Sequence, residues 1–119
     1  MDRVSFINHK GKQILHINMA ECKAEETMAV IKTARGIIGK QAPGSVLTLT
    51  NATNTRFNDE VNAALKEYVQ HNKQFVKAAA VVGVTGLRQI VYNAAMRFSG
   101  RTIIAFDDAQ QAMDWLSHQ

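Results

Sequence analysis

Cysteine, proline and long apolar runs are scarce or missing in this 119-residue sequence. The one cysteine, Cys22, excludes an internal disulfide and fits a reducing compartment. The apolar run "AAAVVGV" is far too short to span a bilayer, and the segment "MDRVSFINHKGKQ" lacks the apolar centre of a signal peptide. We therefore expect a cytoplasmic protein that does not insert into a membrane.

The composition is that of an ordinary folded chain rather than a disordered one. Hydrophobic residues make up 46% of the sequence and charged residues 20%, so a single domain over residues 1–119 can bury a core. The formal net charge is +4, but the basic residues are spread along the chain without interleaved aromatic residues. The charge can attract an acidic partner, whereas the pattern does not predict nucleic-acid binding.

Hydrophobic periodicity divides the chain into alternating strands and helices. Strands are predicted in the segments "RVSFIN", "KQILHINM", "SVLTLT", "VKAAAVVGV" and "RTIIAF". Helices are predicted from about Lys23 to Lys40 and in "NDEVNAALKEYVQHN", "TGLRQIVYNAAMRFSG" and "DDAQQAMDWLSH". In the second strand, Leu15 and Ile17 should share one face and Ile14 should lie on the other. The order β-β-α-β-α-β-α-β-α predicts an α/β fold with a mainly parallel, mixed sheet of about five strands and an N-terminal hairpin.

The C-terminal half carries the most specific pattern, "VVGVTGLRQIVYNAAMRFSGRTIIAFDDAQQAMDWL". A strand ends in Gly, a helix follows, a short strand closes on Phe-Asp, and the last helix ends in Ala-x-x-Trp-Leu. With the order of elements over nearly the whole chain, this resembles small stand-alone bacterial members of the STAS superfamily. That superfamily is named for sulfate transporters and anti-sigma-factor antagonists, and it is related to lipid-binding domains of the yeast secretory type. A generic flavodoxin-like domain is the alternative.

The resemblance implies a non-enzymatic regulatory or protein-interaction module. Antagonists of this family bind a kinase-like anti-sigma factor and are switched by phosphorylation of a serine. That serine lies in an Asp-Ser-Ser/Thr-Gly motif at the start of the second helix. The residues at this place are Arg56, Phe57, Asn58 and Asp59, and none carries a hydroxyl group. The usual phosphoswitch is therefore absent, and the sigma-factor partnership itself is in doubt.

Polar residues follow the third strand in "NATNTRFN", and the segment "GVTGLR" follows the fourth. The carboxyl ends of parallel strands share one edge of a sheet, where ligands bind and where helix N-termini favour anions. The candidate ligand- or partner-binding residues are Asn51, Thr53, Asn54, Thr55, Arg56, Asn58, Thr85, Gly86, Arg88, Tyr92 and Met96. They predict a surface for a protein partner or a second copy of the chain. A small anionic or lipid-like ligand is the alternative.

Many of these residues also have a purely structural explanation. Asn58 and Thr85 suit the N-caps of the second and third helices, and the other Asn and Thr residues suit local turns. Tyr92 and Met96 are four residues apart on a flank of the third helix. They can be explained either by packing at the edge of the core or by an exposed apolar strip that docks a partner. Both explanations stay open for each residue.

No residue pattern indicates catalysis, a metal site or a cofactor. The histidines lack ligand spacing with one another or with Cys22, and no base is placed beside that thiol by the sequence. Asp107 and Asp108 look like paired carboxylates, but they open the last helix, where capping explains them. The segment "GVTGLR" matches neither a phosphate loop nor a dinucleotide fingerprint. We therefore expect a binding protein rather than an enzyme.

Overall fold

The computed structural model describes residues 3–84, 93 and 103–119 of the chain. The strands within these residues are β1 (Val4–His9), β2 (Lys12–Asn18), β3 (Val46–Asn51), β4 (Val76–Val82) and β5 (Ile104–Phe106). The helices are α1 (Ala24–Ile38), α2 (Asp59–Asn72) and α3 (Ala109–Leu116). The described elements thus follow the order β-β-α-β-α-β-β-α, which confirms the α/β class. The helix predicted between β4 and β5 lies, apart from Asn93, outside the described residues.

The strands form one five-stranded sheet in the order β1-β2-β3-β4-β5. β1 pairs antiparallel with β2, whereas the pairings β2–β3, β3–β4 and β4–β5 are parallel. The predicted mixed sheet with an opening hairpin is therefore confirmed. The hairpin turns through Lys10 and Gly11, whose φ angles of 52° and 81° are those of a two-residue turn that matches the twist of the strands.

Helices cover both faces of the sheet. Leu15 and Ile17 of β2 belong to a buried cluster with residues of α1 and α2. Ile14 belongs to a second cluster, on the opposite face, with Leu116 of α3. The predicted alternation of side chains along β2 is therefore confirmed. No described helix has both the length and the apolar character needed to cross a membrane.

The ends of the helices follow local capping chemistry. The Asn58 side chain accepts a hydrogen bond from Val61 N at 2.8 Å, and the Asp108 side chain accepts one from Gln111 N at 2.8 Å. Both residues are therefore N-caps, as the sequence predicted. α1 ends at Ile38, slightly before the predicted end, because the Gly39 cap closes the last turn.

A polar clamp joins the tip of the hairpin to α3. His9 Nε2 lies 2.7 Å and Lys10 Nζ 3.1 Å from Asp114 Oδ1. These two contacts, that of His9 first, lower the pKa of Asp114 below its ordinary value of 3.8. The charged carboxylate therefore stabilises the fold above that value, and the contribution is lost as the pH falls through the lower folded-state pKa.

Replacing Asp114 by Asn should lower the free energy of unfolding at neutral pH and flatten its decline in acid, since one carboxylate with a lowered pKa is gone. Urea unfolding measured from neutral to strongly acidic pH checks this. Asp107→Asn is the matched control, because it removes an exposed carboxylate in the turn before α3. An Asp114→Asn variant with the pH dependence of the wild type would contradict the clamp.

Candidate functional site

Three neighbouring parallel strands end at the same edge of the sheet. Asn18 at the end of β2 is in register with Asn51 of β3, and Asn51 is in register with Val82 of β4. The segments that follow these strands therefore start side by side. We call residues 51–58 the rim loop and residues 19–23 the β2–α1 loop.

Main-chain hydrogen bonds tie the rim loop to the β2–α1 loop. Met19 N donates to Asn51 O at 2.9 Å, and Glu21 N donates to Thr53 O at 2.9 Å. In the opposite direction, Arg56 N donates to Cys22 O at 2.9 Å. The two loops therefore form one bonded unit beyond the ends of the strands.

Thr55 is the buried member of the rim loop. Only 4% of its surface is exposed, and its Oγ1 donates a hydrogen bond to Met19 O at 2.8 Å. Cys22 N donates to the same carbonyl at 3.1 Å. Although Thr55 was predicted as a contact residue, its hydroxyl bonds within the protein and holds the two loops together.

Local turn chemistry engages the other Asn and Thr side chains of the rim loop. Asn51 Oδ1 accepts hydrogen bonds from Thr53 N at 3.0 Å and from Thr53 Oγ1 at 2.6 Å. Asn54 has a left-handed φ of 52°, and its Nδ2 donates to Glu21 Oε1 at 2.8 Å. Glu21 is itself left-handed, with φ at 61°. Asn51 therefore forms a side-chain turn, which is the structural explanation that the sequence offered for the Asn and Thr residues of this loop.

Arg56 and Asn58 are the exposed residues at the far end of the rim loop. Phe57 between them is half-buried and packs against the cluster beneath α1 and α2. This anchor places its two neighbours on the outside of the loop. Asn58 caps α2, so among the predicted residues Arg56 offers an exposed positive charge at this edge.

Arg3 and Glu21 belong to the site, although sequence reasoning did not select them. Arg3 Nη1 donates to Asn18 O at 3.2 Å and to Ala20 O at 3.0 Å, so its side chain holds the start of the β2–α1 loop. Glu21 follows the parallel strand β2, and the rule that selected the rim loop after β3 applies to it equally. The position of Arg3 has no comparable local signal, because its partners lie a full hairpin away.

Cys22, within the β2–α1 loop, is a buried, free cysteine. Burial raises the pKa of its thiol, although the nearby Arg3 charge acts in the opposite direction. A thiol with a raised pKa is a poor nucleophile at neutral pH. Within the described part of the chain, no group of three or more His, Cys, Asp or Glu residues could hold a metal ion.

The segment after β4 starts directly against the rim loop. Gly83 has φ at +80°, and a Cβ atom added there would lie 2.6 Å from Thr53 N. The sequence predicted that the segments after β3 and β4 lie side by side, and this close approach agrees with that prediction as far as residue 84. The remaining predicted residues, Thr85, Gly86, Arg88, Tyr92 and Met96, lie outside the described residues.

Replacing Gly83 by Ala should destabilise the protein by more than the same change at Gly11. Both glycines have positive φ, which costs alanine about 1–2 kcal/mol, but the space around Gly11 is open and Gly83 touches Thr53. The contact should add at least about 1 kcal/mol at Gly83. Urea unfolding of the two variants measures the difference, and equal losses would show that the two segments are not in contact.

Replacing Thr55 by Val should cost about 1 kcal/mol, the net value of one hydrogen bond, because Met19 O keeps its bond from Cys22 N. Hydrogen exchange of the Arg56 amide should accelerate, since the loops are less firmly joined. Thr33→Val is the control, because it removes an exposed hydroxyl that bonds to Ala29 O within α1, outside the two loops, and it should change stability by less than about 0.5 kcal/mol. Unchanged exchange in Thr55→Val would refute the role of this hydroxyl.

Comparison with known proteins identifies no relative of this chain. No protein-family model matches the chain, and neither a curated protein nor a solved structure matches it. The resemblance to the STAS superfamily therefore stands on the sequence pattern alone.

Proposed function

We propose that this chain is a regulatory module of the STAS type that binds a protein partner in the cytoplasm and catalyses no reaction. The mixed sheet and its opening hairpin support the proposal, because they agree with the element order of the resemblance across the described residues. The place of the family's phosphoserine motif, Arg56 to Asp59, carries no hydroxyl group. Serine phosphorylation at this place is therefore not part of the proposed regulation.

The observation that carries the proposal is the internal bonding of the rim loop. Four of its predicted side chains form hydrogen bonds within the protein: Asn51, Thr53, Asn54 and Thr55. These bonds hold the loop in one shape, on which Arg56 and Asn58 are exposed. A preformed loop loses little conformational entropy when it binds, so it suits recognition by a protein partner.

The charges around the rim loop favour a protein over a small anionic or lipid-like ligand. The N-terminus of a helix commonly binds anions, but Asp59 and Glu60 occupy the first turn of α2. The carboxylate of Glu21 lies beside Asn54 at the same edge. A protein partner can pair with carboxylates and with Arg56 at once, whereas a small anion would be repelled by the carboxylates.

A photo-crosslinking amino acid at position 56 tests the docking site in cells that naturally produce the protein. We expect a discrete protein adduct from this position and none from position 66, since Lys66 is exposed on α2 away from the rim loop. Native mass spectrometry of the purified protein tests the ligand alternative. Equal adducts from both positions, or a small molecule retained in stoichiometric amount, would refute the proposal.

A further inference from the structure

Positive charge gathers at the edge of the sheet opposite the rim loop, where β3 and β4 begin and where α1 and α2 end. The segments that form this edge, residues 35–46 and 70–77, contain no Asp or Glu. We call the four exposed cations of these segments the basic edge: Arg35 in the last turn of α1, Lys40 just after α1, Lys73 at the end of α2 and Lys77 in the second position of β4.

Hydrogen bonds and packing join these segments into one surface. Val46 N donates to Phe75 O at 3.0 Å, so the loop after α1 is bonded to the turn after α2. A Cβ atom added at Gly39 would lie 3.5 Å from His71 Nε2, so the ends of the two helices are in contact. Lys77 follows the first residue of β4, in the strand that continues from this turn. The four cations are therefore carried on neighbouring segments at one end of the fold.

The charges of the basic edge are not neutralised within the described part of the chain. The ion pairs there join His9 and Lys10 to Asp114, and none of the four cations takes part in one. The negative end of a helix attracts nearby cations, which accounts for Arg35 but not for Lys77 in a strand. Because each helix end carries only about half a unit of negative charge, a net charge of about +3 remains at this edge.

The residues of this edge favour an anionic membrane over a protein or a nucleic acid. Protein interfaces are depleted in Lys and are anchored by aromatic residues, whereas the exposed residues of the loop after α1 are Gly, Lys, Ala, Pro and Ser. Nucleic acids are held by helix N-termini and by stacking on aromatic rings. Here α1 and α2 end rather than begin, and Phe75 packs against the core. An anionic lipid surface needs only the cations.

The separation of charge along the strands orients the molecule at such a surface. Carboxylates occupy the opposite edge, at Glu25 and Glu26 in the first turn of α1 and at Asp59 and Glu60 in the first turn of α2. β3 has six residues, so the two edges are about 20 Å apart. The Debye length at physiological salt is about 8 Å, so repulsion of these carboxylates is screened when the basic edge faces the membrane.

We propose that the basic edge binds to the surface of an anionic membrane without inserting into it. Lysine suits this contact, because it is a point charge on a flexible stem and does not need a fixed arrangement of phosphates. The rim loop lies at the opposite edge of the sheet and therefore points away from the bilayer. The proposal does not depend on the proposed function, since the basic edge shares no residue with the rim loop.

Sedimentation with lipid vesicles tests the binding. The wild type should bind to vesicles of phosphatidylcholine that contain phosphatidylglycerol, but not to vesicles of phosphatidylcholine alone. Lys40→Gln and Lys73→Gln together should weaken the binding by about 25-fold, at about fivefold for each lysine. The matched control is Lys32→Gln with Lys66→Gln, which removes the same charge from exposed positions in the middle of α1 and α2. It should cost about threefold, because these lysines lie about one Debye length farther from the surface. Absence of binding by the wild type, or equal losses in the two double variants, would overturn the proposal.

A fluorescent label on an introduced cysteine tests the orientation, since native Cys22 is buried. Ala42→Cys places the label in the exposed loop after α1, and Ala63→Cys places it at an exposed position in the first half of α2. Vesicles that carry a quencher on their lipid headgroups should quench the label at position 42 and leave the label at position 63 bright. Equal quenching at both positions would refute the orientation. Tighter binding to duplex DNA than to the anionic vesicles would show a nucleic-acid site and would also overturn the proposal.

Discussion

The central strand β3 is the constraint on which the rest of the structure depends. It pairs in parallel with β2 on one side and with β4 on the other, so all three strands end at one edge. Val46 packs beneath α1 and α2, whereas Leu47 and Leu49 pack on the side of α3. Because both faces of β3 are buried, a shift by one residue would exchange the two sets of side chains. The packing therefore fixes the register, and the register places the rim loop beside its neighbours.

The polar side chains of the rim loop form hydrogen bonds within the protein rather than waiting for a ligand. A chain that leaves the end of a parallel strand has main-chain groups without ladder partners, and these need hydrogen bonds. Thr55 and Asn51 supply such bonds at the rim, and Asn58 supplies one to the first turn of α2. The number of polar residues in such a loop therefore reflects mainly the bonds that the fold requires. What remains for recognition is the exposed outer surface, with Arg56 as its positive charge.

Local patterns account for what the sequence could predict. The alternation of Ile14, Leu15 and Ile17 and the cap at Asn58 depend on neighbouring residues, and all were predicted correctly. The burial of Thr55 and the clamp between His9 and Asp114 depend on side chains that meet only after the sheet has formed. The clamp joins residues 105 positions apart in the chain. Periodicity and capping rules describe only residues close in the chain, so they cannot predict such a pair. The sequence alone therefore predicted that the loops lie at one edge of the sheet, but it did not predict the hydrogen bonds between them.

Arg3 connects the opening hairpin to the proposed docking surface. It precedes β1, and its guanidinium group donates to Asn18 O and to Ala20 O at the start of the β2–α1 loop. That loop is bonded in turn to the rim loop, since Arg56 N donates to Cys22 O. The shape of the surface on which Arg56 is exposed therefore depends on a residue that lies outside both loops, which is why no local pattern in the rim loop could reveal it.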